Sequence, residues 1–151
     1  MPTSEADGLE LRPRIVGIDY GTKRVGIAVT DPLHMFAQPF DTCDPREVLD
    51  RIAAMAGDLG VESIIVGWPL TPEGDETTAR TMVQPFIDRL QRRFADIEII
   101  KWDERFSSER AKQALYDAGV SKKARRSKER INAAAAALIL QDYLDQMGDK
   151  R

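Results

Sequence analysis

Several acidic residues of this 151-residue chain stand where predicted strands end, and carboxylates in such positions can do chemistry. Asp19 closes the apolar run RIVGID, Asp31 closes VGIAVTD, and Asp103 and Glu104 follow IEIIKW. Where the ends of parallel strands gather at one edge of a sheet, their side chains come close together. Two or three carboxylate oxygens there suit Mg²⁺ or Mn²⁺, which bind phosphate substrates while keeping several waters. A pair of such ions activates a water and stabilises the leaving oxygen in phosphodiester cleavage.

Each of these acids also has a purely structural interpretation. Asp19 would hydrogen-bond the turn that follows it, and the run from Asp103 to Arg105 would form an ion-paired surface cap. If only one of these acids is considered, the structural interpretation is the better one. Asp19 and Glu104 together, at one edge of a suitable sheet, favour a metal site.

Other reactive residue types are scarce. His34, the only histidine, is expected to be a solvent-exposed loop residue rather than a catalytic one. Cys43 is the only cysteine, so an intramolecular disulfide and a cysteine-rich zinc site are excluded, and we expect a small apolar residue rather than a nucleophile. Trp68 and Trp102 flank the same predicted sheet edge; packing is the first interpretation and stacking on a nucleic-acid base is the alternative.

The predicted elements that position these residues begin with three strands and then alternate. The predicted strands cover 14–19, 25–31, 35–42, 63–66 and 97–102, with Pro39 limiting the pairing of the third. A helix over 44–60 is predicted from Asp44 as its cap, Pro45 at its first position and Gly60 at its end. Further helices are predicted around 82–94, where Pro85 either begins or kinks the regular part, over 107–118 and over 127–147.

This order of elements predicts an α/β fold. Three sequential strands favour an antiparallel meander, and strands separated by helices must add in parallel. The result is a five-stranded mixed sheet flanked by helices on both faces, which is the ribonuclease H-like layout. The length suits one domain, predicted over 13–148, with a disordered tail over 1–12.

Composition places the chain among globular proteins that can bury a core. Hydrophobic residues make up 42% and charged residues 31%. The start of the chain lacks the apolar stretch of a signal peptide, and the most apolar run, 131–140, is about half the length that spans a bilayer. We therefore expect a cytoplasmic protein with no membrane partner, and the single cysteine agrees with a reducing compartment.

Positive charge is concentrated in one segment. Residues 121–130, SKKARRSKER, carry six Lys or Arg and one Glu, although the chain as a whole has a formal net charge of −3. A solvated surface loop is one explanation for this run. A contact with a phosphate backbone is the other.

Taken together, the motifs resemble those of the YqgF/RuvX family of pre-16S rRNA nucleases, also described as Holliday junction resolvase-like proteins. The matching segments are GIDYGTKRVGIAVTD, IIVGWPLTPEGDETTAR, KWDERFSSERA and INAAAAALILQDYLD. They span about 14–145 in the right order, and the first and third together are the most specific. The resemblance implies the ribonuclease H-like fold and a nuclease that uses Mg²⁺ or Mn²⁺. It further implies a structured RNA substrate, with processing of the 5′ end of pre-16S rRNA on pre-30S particles, or branched DNA.

By position, the resemblance assigns catalytic roles to Asp19, Glu104 and Asn132, the first two of them as metal ligands. The family's third residue is usually an acid that opens the last helix, and this chain has Asn132 there. An amide oxygen can ligate a metal but adds no charge to hold a second ion. Three outcomes are open: Asn132 ligates weakly, Glu129 replaces it from one turn earlier, or activity is reduced.

The cations nearest the acids are expected to contact the nucleic acid. Lys23, Arg24 and Arg105 lie beside the acids in sequence, and the basic segment adds Lys122, Lys123, Arg125 and Arg126. Such contacts position a substrate without reading its sequence.

Two other functions compete with the nuclease. The opening motif also resembles the phosphate-binding hairpin of actin, sugar kinases and Hsp70-like ATPases, but those proteins close two such domains around ATP and this chain has room for one. A nucleic-acid-binding protein of the same fold that has lost catalysis is the third possibility, and Asn132 favours it.

Overall fold

The computed structural model describes residues 12–71, 73–104 and 128–148. The strands in this part of the chain are β1 (Arg14–Tyr20), β2 (Val25–Thr30), β3 (Ala37–Cys43), β4 (Val61–Trp68) and β5 (Glu98–Asp103). The helices are α1 (Val48–Asp58), α2 (Gln84–Arg93), preceded by a π-helical turn over Ala79–Val83, and α3 (Lys128–Gly148). The predicted tail, the helix over 107–118 and most of the basic segment lie outside the described residues.

All five strands form one sheet in the order β3-β2-β1-β4-β5. The pairs β1–β2 and β2–β3 are antiparallel, and β1–β4 and β4–β5 are parallel. A helix between successive later strands returns the chain to the edge at which β1 begins, so these strands can pair in parallel. The predicted mixed sheet is confirmed, and the carboxyl ends of β1, β4 and β5 meet at one edge.

Alternating side chains give the sheet two apolar faces. In β1, Val16 and Ile18 pack with buried residues of α1 and α2, whereas Ile15 faces the opposite side and packs with α3. The residues that α3 contributes to its face are Ala136, Ala137, Ile139 and Leu140. Helices therefore cover both faces, as predicted. Among the described helices, none combines the length and hydrophobicity needed to cross a bilayer.

The first helix begins later than the prediction of 44–60. Asp44 accepts a hydrogen bond from the backbone N–H of Arg46 at 2.8 Å, and its carbonyl accepts one from Glu47 at 2.9 Å. These bonds close a tight turn, so α1 starts only at Val48. Its predicted end is confirmed, because Gly60 has a φ of +77°, a conformation that glycine adopts without strain.

The structure specifies the local effects of Pro85 and Pro39. The sequence leaves open whether Pro85 begins or kinks its helix, and it indicates that Pro39 limits the pairing of β3. Pro85 lies in the first turn of α2, so it begins the regular helix, and the π-helical turn comes before it. Pro39 lies beside a bulge in β3, where Phe40 is the extra residue between the pairs Ile27–Asp41 and Ala28–Pro39. A proline lacks the N–H of a regular ladder, which agrees with an irregular edge strand.

Candidate active site

Asp19 and Glu104 meet at the carboxyl edge of the sheet. Asp19 is the penultimate residue of β1, and Glu104 directly follows β5. Both strands run parallel to β4, which lies between them. The two half-buried carboxyl groups are joined by a hydrogen bond. The two acids that the sequence places on separate strands are thus brought together.

Gly67 of β4 makes this meeting possible. It lies between the two acids, and a Cβ atom at this position would fall on Oε1 of Glu104 and within 2.8 Å of Cδ1 of Ile139. The Glu104 side chain therefore occupies the space that any larger residue at Gly67 would fill. A side chain at position 67 would therefore force Glu104 to take another path across β4 to Asp19.

Burial and proximity make this pair hold a proton. Burial raises the pKa of Glu104, the neighbouring charge and hydrogen bond of Asp19 raise it further, and it reaches about 8 instead of the ordinary 4.5. Burial also raises the pKa of Asp19, while the hydrogen bond with Glu104 lowers it. At neutral pH and without a cation, Glu104 is thus protonated and donates its O–H to Asp19. A divalent cation between the two carboxylates would supply the positive charge that the proton now supplies.

The second turn of α3, at Asn132 and Ala133, lies directly over this edge. A Cβ atom at Gly26 of β2 would overlap the backbone carbonyl of Asn132, and Gly26 is the register partner of Asp19. Directly opposed residues of an antiparallel pair point to the same face, so Asp19 and Asn132 share the α3 face of the sheet. Among the described residues, no group of three or more His, Cys, Asp or Glu is placed to hold a metal. Asn132, whose backbone lies over Gly26 on the same face, is therefore a candidate for a third ligand.

Asp31 lies away from this site. It follows β2, which runs antiparallel to β1, so it stands at the opposite edge of the sheet. Its carboxylate accepts hydrogen bonds from the backbone N–H groups of Leu33, Met35 and Phe36 at 3.1, 2.9 and 2.7 Å. Slight burial raises the pKa of Asp31, but these bonds outweigh it and lower the pKa overall. Asp31 therefore organises a loop at the far edge, and the structure does not bring it to Asp19 and Glu104.

His34 is buried, which contradicts the prediction of an exposed loop residue. Only 8% of it is accessible, and Nε2 lies 2.7 Å from the carbonyl oxygen of Pro13. Because a carbonyl can only accept, Nε2 carries the proton and donates it. Nδ1 faces Glu62 at 3.5 Å, so the ring links the β2–β3 loop to the start of β1 and the start of β4.

Cys43 and the two tryptophans have structural roles. Cys43 is buried, and desolvation raises the pKa of its thiol to about 11, as expected of an apolar residue rather than a nucleophile. Trp68 is buried and donates to Glu76 at 3.2 Å. Trp102 packs edge-on against Tyr143 and donates to the buried carboxylate of Asp142 at 2.8 Å. Packing, the first interpretation, accounts for both rings.

The predicted nucleic-acid contacts divide into two groups. Lys23 and Arg24 are exposed in the turn between β1 and β2, at the same edge as the acidic pair. The others lie outside the described residues: Arg105, Lys122, Lys123, Arg125 and Arg126.

Sequence reasoning missed the two glycines that clear the site. Gly67 and Gly26 each interrupt a run of β-branched residues, IIVGW and VGIAV. A glycine inside a strand often marks a close approach by another group. That signal was present, but only the packed structure reveals that Glu104 and the α3 backbone are the groups that approach.

Comparison with known proteins agrees with the resemblance in the motifs. A family profile described as "RuvX: Holliday junction resolvase" matches residues 13–146. The chain is 48% identical over 140 residues to a Salinibacter ruber protein named "Putative pre-16S rRNA nuclease", an alignment that covers 93% of this chain and 98% of that protein. It is 42% identical over 132 residues to a Chlorobaculum tepidum protein of the same name, covering 87% and 93% of the two chains.

Solved structures with little sequence identity share the fold. Thermus thermophilus RuvC in complex with a Holliday junction substrate matches with a TM-score of 0.55 at 15% identity, over 91% of this chain and 97% of that one. Fowlpox virus resolvase, in complex with Holliday junction DNA, matches with a TM-score of 0.57 at 13% identity, over 89% and 98%. The expected ribonuclease H-like fold is therefore confirmed. From the profile match and the close relatives, this chain belongs to the RuvX family.

Proposed function

We propose that the protein is a divalent-metal-dependent nuclease that cleaves phosphodiester bonds of structured nucleic acid. The hydrogen-bonded pair of Asp19 and Glu104 at the carboxyl edge of the sheet carries this proposal. Two carboxylates from different strands, with the space between them cleared by Gly67, form a donor set that suits a hard cation. The names of close relatives support the same activity.

Mg²⁺ or Mn²⁺ is the proposed ion, and the proposed substrate is the 5′ end of pre-16S rRNA, on or near pre-30S particles in the cytoplasm. The oxygen-only donor set favours these cations over zinc or copper. The relatives' names, which specify pre-16S rRNA, support this substrate.

Each residue has a distinct task in the proposed reaction. Asp19 and Glu104 would hold the cation once Glu104 has released its proton. A cation held there would supply the charge that positions the scissile phosphate and the Lewis acidity that lowers the pKa of a bound water. Lys23 and Arg24, and in the same role Arg105 and the basic segment 121–130, hold the strand by its phosphates.

The single change Asp19→Asn tests the proposal. We expect cleavage of an RNA that contains the 5′ end of 16S rRNA with its precursor extension to fall at least about 100-fold. Mn²⁺ binding, followed by calorimetry, should weaken in parallel. Asp96→Asn is the matched control, because Asp96 is exposed in the turn before β5 at the other edge. Cleavage by Asp19→Asn at the parental rate would refute the metal site.

Asn132 is proposed as a neutral third ligand, and Asn132→Asp tests its contribution. An added carboxylate should tighten Mn²⁺ binding and raise metal-dependent cleavage, because it supplies the charge that the amide lacks. Unchanged binding and cleavage would point instead to Glu129 or to a site that works with one ion.

Branched DNA is the second candidate substrate. The family profile is described as a Holliday junction resolvase, and two structural neighbours were solved with junction DNA. A four-way DNA junction assayed beside the RNA separates the two: faster cleavage of the junction, lost in Asp19→Asn, would favour the resolvase. Binding of either nucleic acid without metal-dependent cleavage would favour the non-catalytic protein.

A further inference from the structure

A polar cavity opens beside the proposed active site, and neither the acidic pair nor the family match accounts for it. Its volume is about 350 Å³. The side chains that line it come from the β1–β2 turn, the end of β3 and the start of α1, and those that matter here are Lys23, Arg24, Thr42, Asp44, Glu47 and Arg51.

The sheet register places this cavity close to the acidic pair. Asp19 is the register partner of Gly26, and Gly26 is the partner of Thr42. Thr42 thus lies two strands from Asp19 in the same row, a separation of roughly 10 Å. Asp19 faces α3, whereas α1, which carries Arg51, packs on the opposite face, so a nucleic-acid strand with its scissile phosphate at Asp19 would pass over the carboxyl edge of the sheet to reach the cavity.

The charges around the cavity leave positive charge available for a ligand. Arg51 is paired with Asp41 and faces Glu47 at 3.7 Å, while Asp44 is paired with Arg46 outside the cavity. Within the described part of the chain, neither Lys23 nor Arg24 has a carboxylate within 4.0 Å, although both are exposed. The surplus positive charge therefore rests on these two side chains.

Arg51 adds a pre-organised donor to the wall. Asp41 of β3 accepts a hydrogen bond from its guanidinium, and Glu47, which precedes α1, forms an ion pair with it at 3.7 Å, so several of its five N–H donors remain beyond this one bond. A guanidinium held in this way loses little conformational entropy when it binds a phosphate oxygen.

We propose that this cavity binds a non-scissile phosphate of the substrate strand through Lys23, Arg24 and Arg51, while the acidic pair engages the scissile phosphate. The inference rests on the proposed nuclease function and specifies how the strand is held. It adds Arg51, on α1, to a site otherwise built from the ends of β-strands. It also specifies that the nucleic acid runs from the acidic pair toward β3.

The test combines side-chain changes with uncharged phosphates. In the Asp19→Asn background, which binds without cutting, the affinity of a labelled RNA hairpin with a 5′ extension is measured by fluorescence anisotropy. Single phosphates on both sides of the scissile position are replaced, one at a time, by neutral methylphosphonates. The same series is repeated with Arg24→Gln, with Arg51→Gln and with Arg46→Gln. Arg46 is the matched control, since it is exposed and lies beside the cavity but does not line it.

We expect one flanking methylphosphonate to weaken binding about five- to tenfold in the Arg46→Gln protein. Arg24→Gln and Arg51→Gln should lower the affinity for the unmodified RNA. In both variants, the methylphosphonate at that position should cause no further loss of affinity. A methylphosphonate profile that is the same in all three variants would overturn the cavity proposal and leave the nuclease proposal standing. No binding of RNA or junction DNA by any of the proteins would overturn both.

Discussion

Glu104 lies over a strand position that has no side chain, and the proton it holds determines what the site can bind. The carboxyl is buried beside Asp19, so its ionised form is disfavoured and its pKa rises to about 8. A cation must displace this proton. The chemistry of the pair thus depends on two residues and on the glycine between them.

The raised pKa of Glu104 has a consequence for stability in the absence of metal. A carboxyl whose pKa is higher in the folded state binds its proton more tightly there, so stability is greatest below the ordinary value of 4.5 and is lost as pH rises towards about 8. The amide of Glu104→Gln cannot ionise. In a chelator, we expect its melting temperature to exceed that of the parent by a few degrees at pH 9 and to match it near pH 5. Equal melting temperatures at both pH values would contradict the buried, proton-sharing pair.

Gly67→Ala tests the space over β4. The added methyl would displace Oε1 of Glu104 and Cδ1 of Ile139, both at the ends of flexible side chains. We therefore expect Mn²⁺ affinity and cleavage to fall about tenfold or more, with a small change in melting temperature. Gly57→Ala in α1, where no atom lies within 4 Å of the added methyl, is the control. Unchanged Mn²⁺ affinity in Gly67→Ala would show that Glu104 does not need this space.

At the scale of elements, close packing of α3 on the sheet places Asn132 over the edge. Gly17 and Gly26 form part of the surface on which α3 lies, and a Cβ atom at Gly17 would come within 2.7 Å of Cβ of Leu140 and 2.9 Å of the carbonyl oxygen of Ala136. Small residues on both surfaces let helix and sheet backbones approach each other. The position of α3 therefore depends on which strand residues lack side chains.

Gly26→Ala should displace the start of α3. Here the added methyl meets the backbone of Asn132 and Ala133, which yields less easily than the end of a side chain. We expect a loss of about 1–3 kcal/mol in the free energy of unfolding, measured with urea. Gly57→Ala should instead gain about 0.5–1 kcal/mol from helix propensity. A neutral Gly26→Ala would show that α3 does not rest on β2 this closely.

Most elements could be predicted because their signals are local. Alternating β-branched residues predict strands, and Gly60 predicts the end of α1. The helix α1 begins later than the sequence predicts, because Asp44 and Pro45 suit both a helix cap and a tight turn. Local pattern predicts that His34 is exposed, because it lies in a loop. Its burial depends on a bond to Pro13, 21 residues away in the chain, which no local pattern reveals.

At the scale of the whole molecule, the uneven distribution of charge determines how a nucleic acid is held. The chain has a formal net charge of −3, yet 121–130 is strongly basic and Lys23 and Arg24 are exposed beside the acidic pair. Each Lys or Arg that neutralises a phosphate releases counterions condensed on the nucleic acid. Affinity should therefore fall steeply with salt.

A matched pair of double substitutions tests this distribution. Replacing Arg125 and Arg126 by Gln should reduce the slope of log affinity against log salt by roughly 1.5. Replacing Arg92 and Arg93, an identical pair at the end of α2 and the opposite edge of the sheet, should leave the slope unchanged. Equal effects of the two pairs would refute a localised contact by the basic segment.

The sequence by itself determined the order of elements, the mixed sheet, the family resemblance and the two acids at strand ends, because these depend on local pattern and on motifs. The tertiary structure decided which acids meet. Strand direction carried Asp31 to the far edge, while parallel pairing through β4 brought Glu104 to Asp19. It also gave Gly67 and Gly26 their meaning, since a missing side chain matters only when another group comes to occupy its space.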